Sequence, residues 1–169
     1  MKRAVSVLLS AALMLLVLTG CGKSGSVSKK NIPAEETAES TKIALSDSGI
    51  TVDGAAISDD ETTAVYAAQD IVYYEEGQGV AYGAGTDADA HSQEEADAHT
   101  VVHITQPGTY TLSGTLSAGQ IAVDLGDGAE EDPEAVVTIV LDGVDITCTV
   151  APAIIFYRVY ECGSADMET

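Results

Sequence analysis

Two pairs of aspartates are spaced so that their carboxylates could bind a cation. Asp87 and Asp89 alternate with small residues in the glycine-containing segment 85–91, and Asp142 and Asp145 flank a predicted strand turn. Oxygen ligands on such loops suit Ca²⁺, although the spacing is not that of an EF-hand loop. We therefore predict these four residues as candidate metal ligands. The alternative for the first pair is a solvated acidic loop without a metal, and for the second pair turn formation alone.

The histidines and two of the cysteines carry weaker signals. His91, His99 and His103 offer imidazole nitrogens, but no further Cys or His pair completes a tetrahedral zinc site. Cys148 shares the parity of apolar neighbours and is expected to be a buried thiol. The alternative is a disulfide between Cys148 and Cys162, which an exported protein can form.

Charge is distributed unevenly along the chain. The 169 residues include 27 acidic and 7 basic side chains, for a net charge of −20. After Lys42, Arg158 is the one remaining base. Because binding to phosphates requires clustered Lys and Arg, this balance excludes nucleic acid as a partner. The 46% hydrophobic content argues that much of the acidic region nevertheless packs.

The N-terminus has the features of an export signal. A basic start precedes an apolar run, Ala4 to Leu18, that is short for a transmembrane helix. The segment 18–21, Leu-Thr-Gly-Cys, resembles the lipobox of bacterial lipoproteins. That resemblance implies a lipid on Cys21 that anchors the protein to the cell membrane, facing outside the cytoplasm. A transmembrane helix or an ordinary secretory cleavage is the alternative.

Composition divides the chain into three parts. Residues 1–20 are predicted to be the lipoprotein signal peptide, and the polar, small-residue stretch 21–42 a lipidated flexible linker. Residues 43–169 are predicted to form the folded domain. Within it, 62–74 is compatible with a helix or a strand pair, and 86–99 predicts an acidic loop.

Short strands separated by turn residues dominate the domain and predict an all-β fold. Five apolar runs alternate with polar residues, so each is expected to bury one face. An antiparallel β-sandwich and a parallel β-helix both fit this pattern, and spacing does not decide between them. The predicted turns are Asp53-Gly54, Ser113-Gly114, Asp127-Gly128 and Asp142-Gly143.

One stretch resembles a known family. Residues 99–116 (HTVVHITQPGTYTLSGTL), with 119–124 (GQIAVD) and 137–147 (VTIVLDGVDIT), resemble the opening of bacterial carbohydrate-binding domain-containing lipoproteins. Those proteins are similar to polygalacturonate-binding right-handed parallel β-helices. The resemblance extends over about 43–160. The resemblance implies a right-handed parallel β-helix, Ca²⁺ as a cofactor, and acidic plant polysaccharide such as polygalacturonate or pectin as the ligand. It does not identify carbohydrate-binding residues.

The length departs from this family. Its members usually run to several hundred residues, whereas only about two rungs of a β-helix fit here, and a solenoid needs about three repeats. The resemblance therefore implies a truncated member that holds the N-terminal rungs. A ligand site built on later rungs would then be missing.

Two other functions compete with glycan binding. β-helices also include polysaccharide lyases, whose base is commonly an arginine, and only Arg158 is available for that role. A hydrolase needs two carboxylates at a set separation, and no motif marks such a pair. The third class is a structural or adhesive surface lipoprotein. With neither a Gly-x-Ser-x-Gly elbow nor a P-loop, the expected function is non-catalytic carbohydrate binding at the cell surface.

Overall fold

The computed structural model describes residues 39–160, and this part of the chain is all-β as predicted. Its strands form one five-stranded and one four-stranded sheet. The predicted signal peptide, Cys21 and Cys162 lie outside the described residues. The elements are β1 (Thr41–Leu45), β2 (Thr51–Val52), β3 (Ala55–Ala56), β4 (Val65–Ala68), α1 (Gln93–Asp97), β5 (Thr100–Ile104), β6 (Gly108–Leu116), β7 (Gly119–Asp124), β8 (Val137–Ile146) and β9 (Ile154–Arg158), with 3₁₀ turns at Asp87–Asp89 and Ala129–Glu131.

From β5 onward the chain alternates between the two sheets. Sheet A has the order β3-β2-β1-β6-β8, and sheet B has the order β4-β5-β7-β9. Strands β1, β6 and β8 are parallel, as are β5, β7 and β9, while β2, β3 and β4 add antiparallel pairs at one side. This mixed pairing differs from the antiparallel β-sandwich that was the alternative prediction. The first two residues of β1, Thr41 and Lys42, come from the predicted linker.

Alternating apolar side chains from both sheets form the core between them. The predicted inward positions of β5, β6 and β7 are confirmed, since their residues in this cluster are 3% exposed or less. Each fully buried Val, Leu or Ile contributes about 1.5–3 kcal/mol through the hydrophobic effect. The best-buried members of the cluster are Ile43, Val102, Ile104, Leu112, Ile121 and Val123.

Strands β5 and β7 are buried on both faces, so the prediction of one buried face per strand is wrong for them. Val101 and Ala122 point away from the core, yet both are fully buried. Ile71 and Val72 pack against them from outside. We call residues 69–73 the cover segment. Because it shields the outer face of sheet B, polar residues on that face must find partners within the protein.

Two of the four predicted glycine-containing turns are confirmed. Asp53 and Gly54 have φ of 49° and 82° and connect β2 to β3 as a two-residue hairpin. Gly128, with φ of 87°, begins the 3₁₀ turn Ala129–Glu131. The left-handed backbone that these turns require is the reason for glycine there.

The other two predicted turns lie inside continuous strands. Ser113-Gly114 belongs to β6 and Asp142-Gly143 to β8. The register shifts between Leu112 and Gly114, because two residues of β8 lie opposite Ser113 alone. Glycines with positive φ therefore form a β-bulge here and do not reverse the chain.

The predicted acidic loop at 86–99 contains the short helix α1. Ser92 caps it, since its hydroxyl accepts a hydrogen bond from the Glu95 amide at 3.2 Å. The Glu95 carboxylate in turn accepts from the Ser92 amide at 2.8 Å. This reciprocal capping box stabilises a first turn that the acidic composition alone does not suggest. Within residues 39–160, no helix is long and apolar enough to cross a membrane.

Strands β8 and β9 lie at the edges of their sheets, and within residues 39–160 no strand pairs with their outer sides. Leu141 and Phe156 on these strands are 57% and 48% exposed. Leu141 was predicted to be buried, but its inward position at an unpaired edge leaves it accessible. Open parallel edges with apolar side chains favour pairing with another chain.

We expect the protein to self-associate through the β8 edge. For a soluble Cys21→Ser form in sedimentation experiments, association should increase with salt because screening weakens repulsion between acidic molecules. Leu141→Lys should weaken association about tenfold by placing a charge at the edge. Tyr74→Lys is the control, because Tyr74 is 59% exposed and lies outside the strands. A wild-type protein that stays monomeric at high salt would contradict the expectation.

Candidate functional site

The four predicted metal ligands lie on two separate elements. Asp87 and Asp89 are exposed on the 3₁₀ turn, where the Asp89 carboxylate accepts hydrogen bonds from the Thr86 amide and hydroxyl at 3.1 and 2.8 Å. Asp142 and Asp145 are exposed on β8. Among residues 39–160, no three His, Cys, Asp or Glu side chains are grouped closely enough to hold a metal ion. A cation at either pair would need further oxygen ligands from water or a ligand.

The outer face of sheet A is partly exposed and rich in hydroxyl groups. On β6 the core residues Tyr110, Leu112 and Leu116 alternate with outward-pointing polar residues. No segment within residues 39–160 covers this side as the cover segment covers sheet B. We call this surface the hydroxyl face; it consists of Thr109, Thr111, Ser113 and Thr115 of β6 and Thr138 of β8.

Strand pairing places these hydroxyl groups in a regular array. Thr109 is paired with Thr138, and Thr111 with Lys42 of β1. Such positions are about 4.8 Å apart between strands and about 6.6 Å apart along one strand. The Thr111 hydroxyl already shares a 2.6 Å hydrogen bond with Ser40. The array therefore presents hydroxyl groups at the regular spacing of a β-sheet, with the ammonium group of Lys42 beside them.

The bulge in β8 brings both predicted carboxylates to this face. Asp145 is paired with the outward residue Thr115, and Asp142 lies opposite Ser113. Both aspartates are exposed. The hydroxyl face thus combines sugar-type hydrogen-bonding groups with two carboxylates. Sequence reasoning found the carboxylates but missed the hydroxyl face, although the alternation of Thr and Ser opposite the core parity in 109–115 was its signal.

Arg158 is fully engaged in ion pairs. Its guanidinium donates two hydrogen bonds of 2.7 Å to the Asp124 carboxylate, its neighbour across β7 and β9, and a third to Asp127. Burial acts to raise the pKa of Asp124, but hydrogen bonds from Arg158 and the Gly126 amide lower it overall. The hydrogen bonds to Asp124 raise the pKa of Arg158. An arginine held this way is a poor candidate for the base of a lyase.

The histidines bind to elements around sheet B. His103 lies on the outer face of β5, stacks on the Tyr66 ring at 4.5 Å, and its Nε2 is 2.8 Å from the Asp70 carboxylate. His99 contacts the Glu95 carbonyl through Nδ1 at 2.7 Å. His91 lies 3.1 Å from the Tyr73 hydroxyl. His103 therefore holds the cover segment against sheet B, whereas His91 contacts that segment from the loop before α1 and His99 contacts α1.

Cys148 follows β8 and is half-buried, where the sequence suggested a buried thiol. It forms no disulfide with any residue of the described range 39–160. The predicted alternative, a disulfide with Cys162, involves a residue outside that range.

The chain is similar to carbohydrate-binding domain-containing proteins. A family model described as "Carbohydrate-binding domain-containing protein" matches residues 98–162. A curated "Carbohydrate-binding domain-containing protein" from Acetivibrio thermocellus is 56% identical over 48 residues. That alignment covers 28% of this chain and 15% of the relative. No solved structure matches the chain.

The family match covers the part of the chain that includes β5 to β9. The two matches support a carbohydrate-binding role, and the family description points to a non-catalytic binding protein, in agreement with the sequence analysis. The hydroxyl face lies mainly on β6 and β8, both within the matched residues.

Proposed function

We propose that this chain is a lipid-anchored, cell-surface protein that binds acidic polysaccharide of the polygalacturonate or pectin type with Ca²⁺. The observation that carries the proposal is the hydroxyl face and its two carboxylates, within the region that matches a carbohydrate-binding family. Threonine and serine hydroxyls both donate and accept hydrogen bonds, as sugar hydroxyls do. An array that extends over neighbouring strands suits an extended polymer better than a single small molecule.

Charge explains why a cation belongs in the proposal. The chain carries a net charge of −20, so a polyuronate would be repelled, and salt screening alone gives no attraction. Ca²⁺ accepts six to eight oxygen ligands, which allows carboxylates from protein and polymer to share one ion. Asp142 and Asp145 are the proposed protein ligands, and uronate carboxylates and water would complete the shell. Asp87 and Asp89 remain candidates for a separate ion.

We also propose that the domain is the start of a right-handed parallel β-helix. Its support is the alternation of β5, β6, β7, β8 and β9 between two sheets in which each strand is parallel to its counterpart. Connections between parallel strands of one sheet are right-handed in nearly all proteins. Successive coils of this kind present repeated outer faces along which a polymer lies.

Catalysis is a weaker explanation of the same surface. A lyase needs a free base beside the substrate, and Arg158 is bound to Asp124 and Asp127. The two carboxylates on the hydroxyl face, Asp142 and Asp145, are assigned to the cation in this proposal. Binding without chemical change is therefore the function we propose.

Lipidation at Cys21 is the first expected result. Cells fed a fatty-acid analogue should label the wild-type protein but not Cys21→Ala, and detergent should be needed to release the labelled form. Cys148→Ala is the control, since that thiol lies far along the chain from the lipobox and should not affect labelling. An unmodified wild-type protein secreted in soluble form would refute the anchor.

Calcium dependence is the second expected result. The wild-type protein should bind polygalacturonate in millimolar Ca²⁺ and release it with chelator. Replacing both Asp142 and Asp145 with Asn should weaken binding about tenfold or more, because neutral amides lose the charge that holds the ion. Affinity electrophoresis in gels containing the polymer measures this directly.

Asp97→Asn is the matched control for that experiment. Asp97 is an exposed aspartate on α1, away from the hydroxyl face, and its replacement removes one negative charge in the same way. It should leave binding unchanged. If Asp97→Asn weakened binding as much as Asp142→Asn or Asp145→Asn alone, the loss would be a general charge effect and the proposed site would be refuted.

A further inference from the structure

A cleft of about 360 Å³ lies where the ends of the two sheets meet. Its walls come from the turn after β1, the start of β5, the end of β6 with the link to β7, and β4. We call it the end cleft. Its volume is at the lower end of the range of about 300–1,000 Å³ that is typical of small-molecule sites.

The end cleft combines an apolar floor with a polar rim. Ile50 and Leu116 of the buried core, together with half-buried Ile57, form the apolar part. Asp47 and Ser117 stand on the rim. This distribution matches sites in which apolar contacts supply area and a few polar groups fix orientation.

The rim carboxylate is held in place before any ligand binds. Asp47 accepts hydrogen bonds from the Ser117 amide at 2.8 Å and from its hydroxyl at 2.5 Å. Hydrogen bonds from the Ser117 hydroxyl and amide lower the pKa of Asp47, so it is ionised at neutral pH. A carboxylate has about four acceptor positions, and Ser117 uses two of them. The other two remain available to paired donors.

We propose that the end cleft binds one neutral sugar ring. Two neighbouring hydroxyl groups of the ring donate hydrogen bonds to the Asp47 carboxylate, and its C–H face packs on Ile50 and Leu116. This inference rests on the proposed carbohydrate-binding function but concerns a second site, which prefers a neutral sugar to an acidic one. A uronate would bring its carboxylate towards Asp47, the acidic residue among those that line the cleft, and the two negative charges would repel each other. The end cleft thus selects neutral rings, while the hydroxyl face takes the acidic polymer.

The test is a titration of the full chain, as Cys21→Ser, followed by NMR in the presence of chelator. Cellobiose and galactobiose are the neutral probes, and digalacturonate is the charged one. At least one neutral disaccharide should shift the signals of Ala98 and Ser117, and digalacturonate should not. Asp47→Asn should weaken binding of the neutral disaccharide about tenfold, because its hydroxyl groups would then donate to a neutral amide oxygen and no longer to a charged carboxylate.

A second variant guards against unfolding as an explanation. Ala98 is exposed on the wall of the end cleft, so Ala98→Leu should fill the space without disturbing the core and abolish the titration. Both variants should keep wild-type binding of polygalacturonate in Ca²⁺. No shift with either neutral probe, or an equal shift with digalacturonate, overturns this inference. Failure of the wild type to bind polygalacturonate in Ca²⁺ would instead refute the proposed function.

Discussion

Gly114→Ala should destabilise the domain by about 3 kcal/mol or more, or prevent folding altogether. Gly114 has φ of 92°, a backbone conformation that costs an L residue about 1–2 kcal/mol. A Cβ there would also overlap the carbonyl oxygen of Leu45 on the neighbouring strand β1. Because the obstacle is backbone, relief requires the two strands to separate, and overpacking of this kind costs about 1–3 kcal/mol.

Gly143→Ala separates the two causes. Gly143 lies in the same bulge, on β8, and has φ of 68°, but a Cβ there would meet nothing within 4 Å. It should therefore lose only the backbone contribution, about 1–2 kcal/mol. Urea unfolding followed by circular dichroism measures both variants. If Gly114→Ala were no worse than Gly143→Ala, the close packing of β1 against β6 described here would be wrong.

Gln120→Leu should lower the free energy of unfolding by about 3 kcal/mol, because it removes three buried hydrogen bonds at once. The Gln120 side chain is fully buried on the outer face of β7. It accepts from the Val72 amide and donates to the carbonyl oxygens of Val72 and Pro152, each at 2.9 Å. Leucine has a similar size but leaves these backbone groups without partners.

The effect of Gln120→Leu should be concentrated on the cover segment. Hydrogen exchange at the Val72 amide should accelerate more than exchange at Val102 in the core, since local opening removes only the outer layer. Gln69→Leu is the control: Gln69 is exposed in the same segment, and its replacement should change stability by no more than about 0.5 kcal/mol. Unchanged protection at Val72 in Gln120→Leu would contradict the proposed attachment.

The inward-facing core of β5, β6 and β7 was predictable from the sequence. Alternation at Val102, Ile104 and Leu112 reflects the period of two residues in a strand, which depends only on local backbone geometry. The second buried layer was not predictable from that period. Gln120 is polar and occupies an outward position, and its burial depends on Val72, which is distant in sequence.

Turns and bulges show a similar limit. Asp53-Gly54 and Asp142-Gly143 have the same residues, and both glycines adopt positive φ, yet the first reverses the chain and the second lies within a strand. Local conformational preference is the same in both cases. The difference is decided by the parallel partner strand β6, which pairs with β8 on both sides of Gly143.

The candidate site was predicted in part. Acidic residues are easily recognised as potential cation ligands, so Asp142 and Asp145 stood out in the sequence. The threonines beside them did not, because a threonine in a strand is ordinary unless its neighbours across the sheet are known. Strand register brings Thr115 and Asp145 together, and register is set by tertiary packing.

Binding of purified wild-type protein to immobilised polygalacturonate, followed by analysis of the polymer, tests the central claim most directly. With Ca²⁺ present, the protein should be retained, released by chelator, and leave the polymer uncleaved. A neutral polymer of similar length should retain much less protein under the same conditions. Retention that persists in chelator would reject the calcium bridge, release of unsaturated fragments would identify a lyase, and no retention with or without Ca²⁺ would contradict polygalacturonate binding.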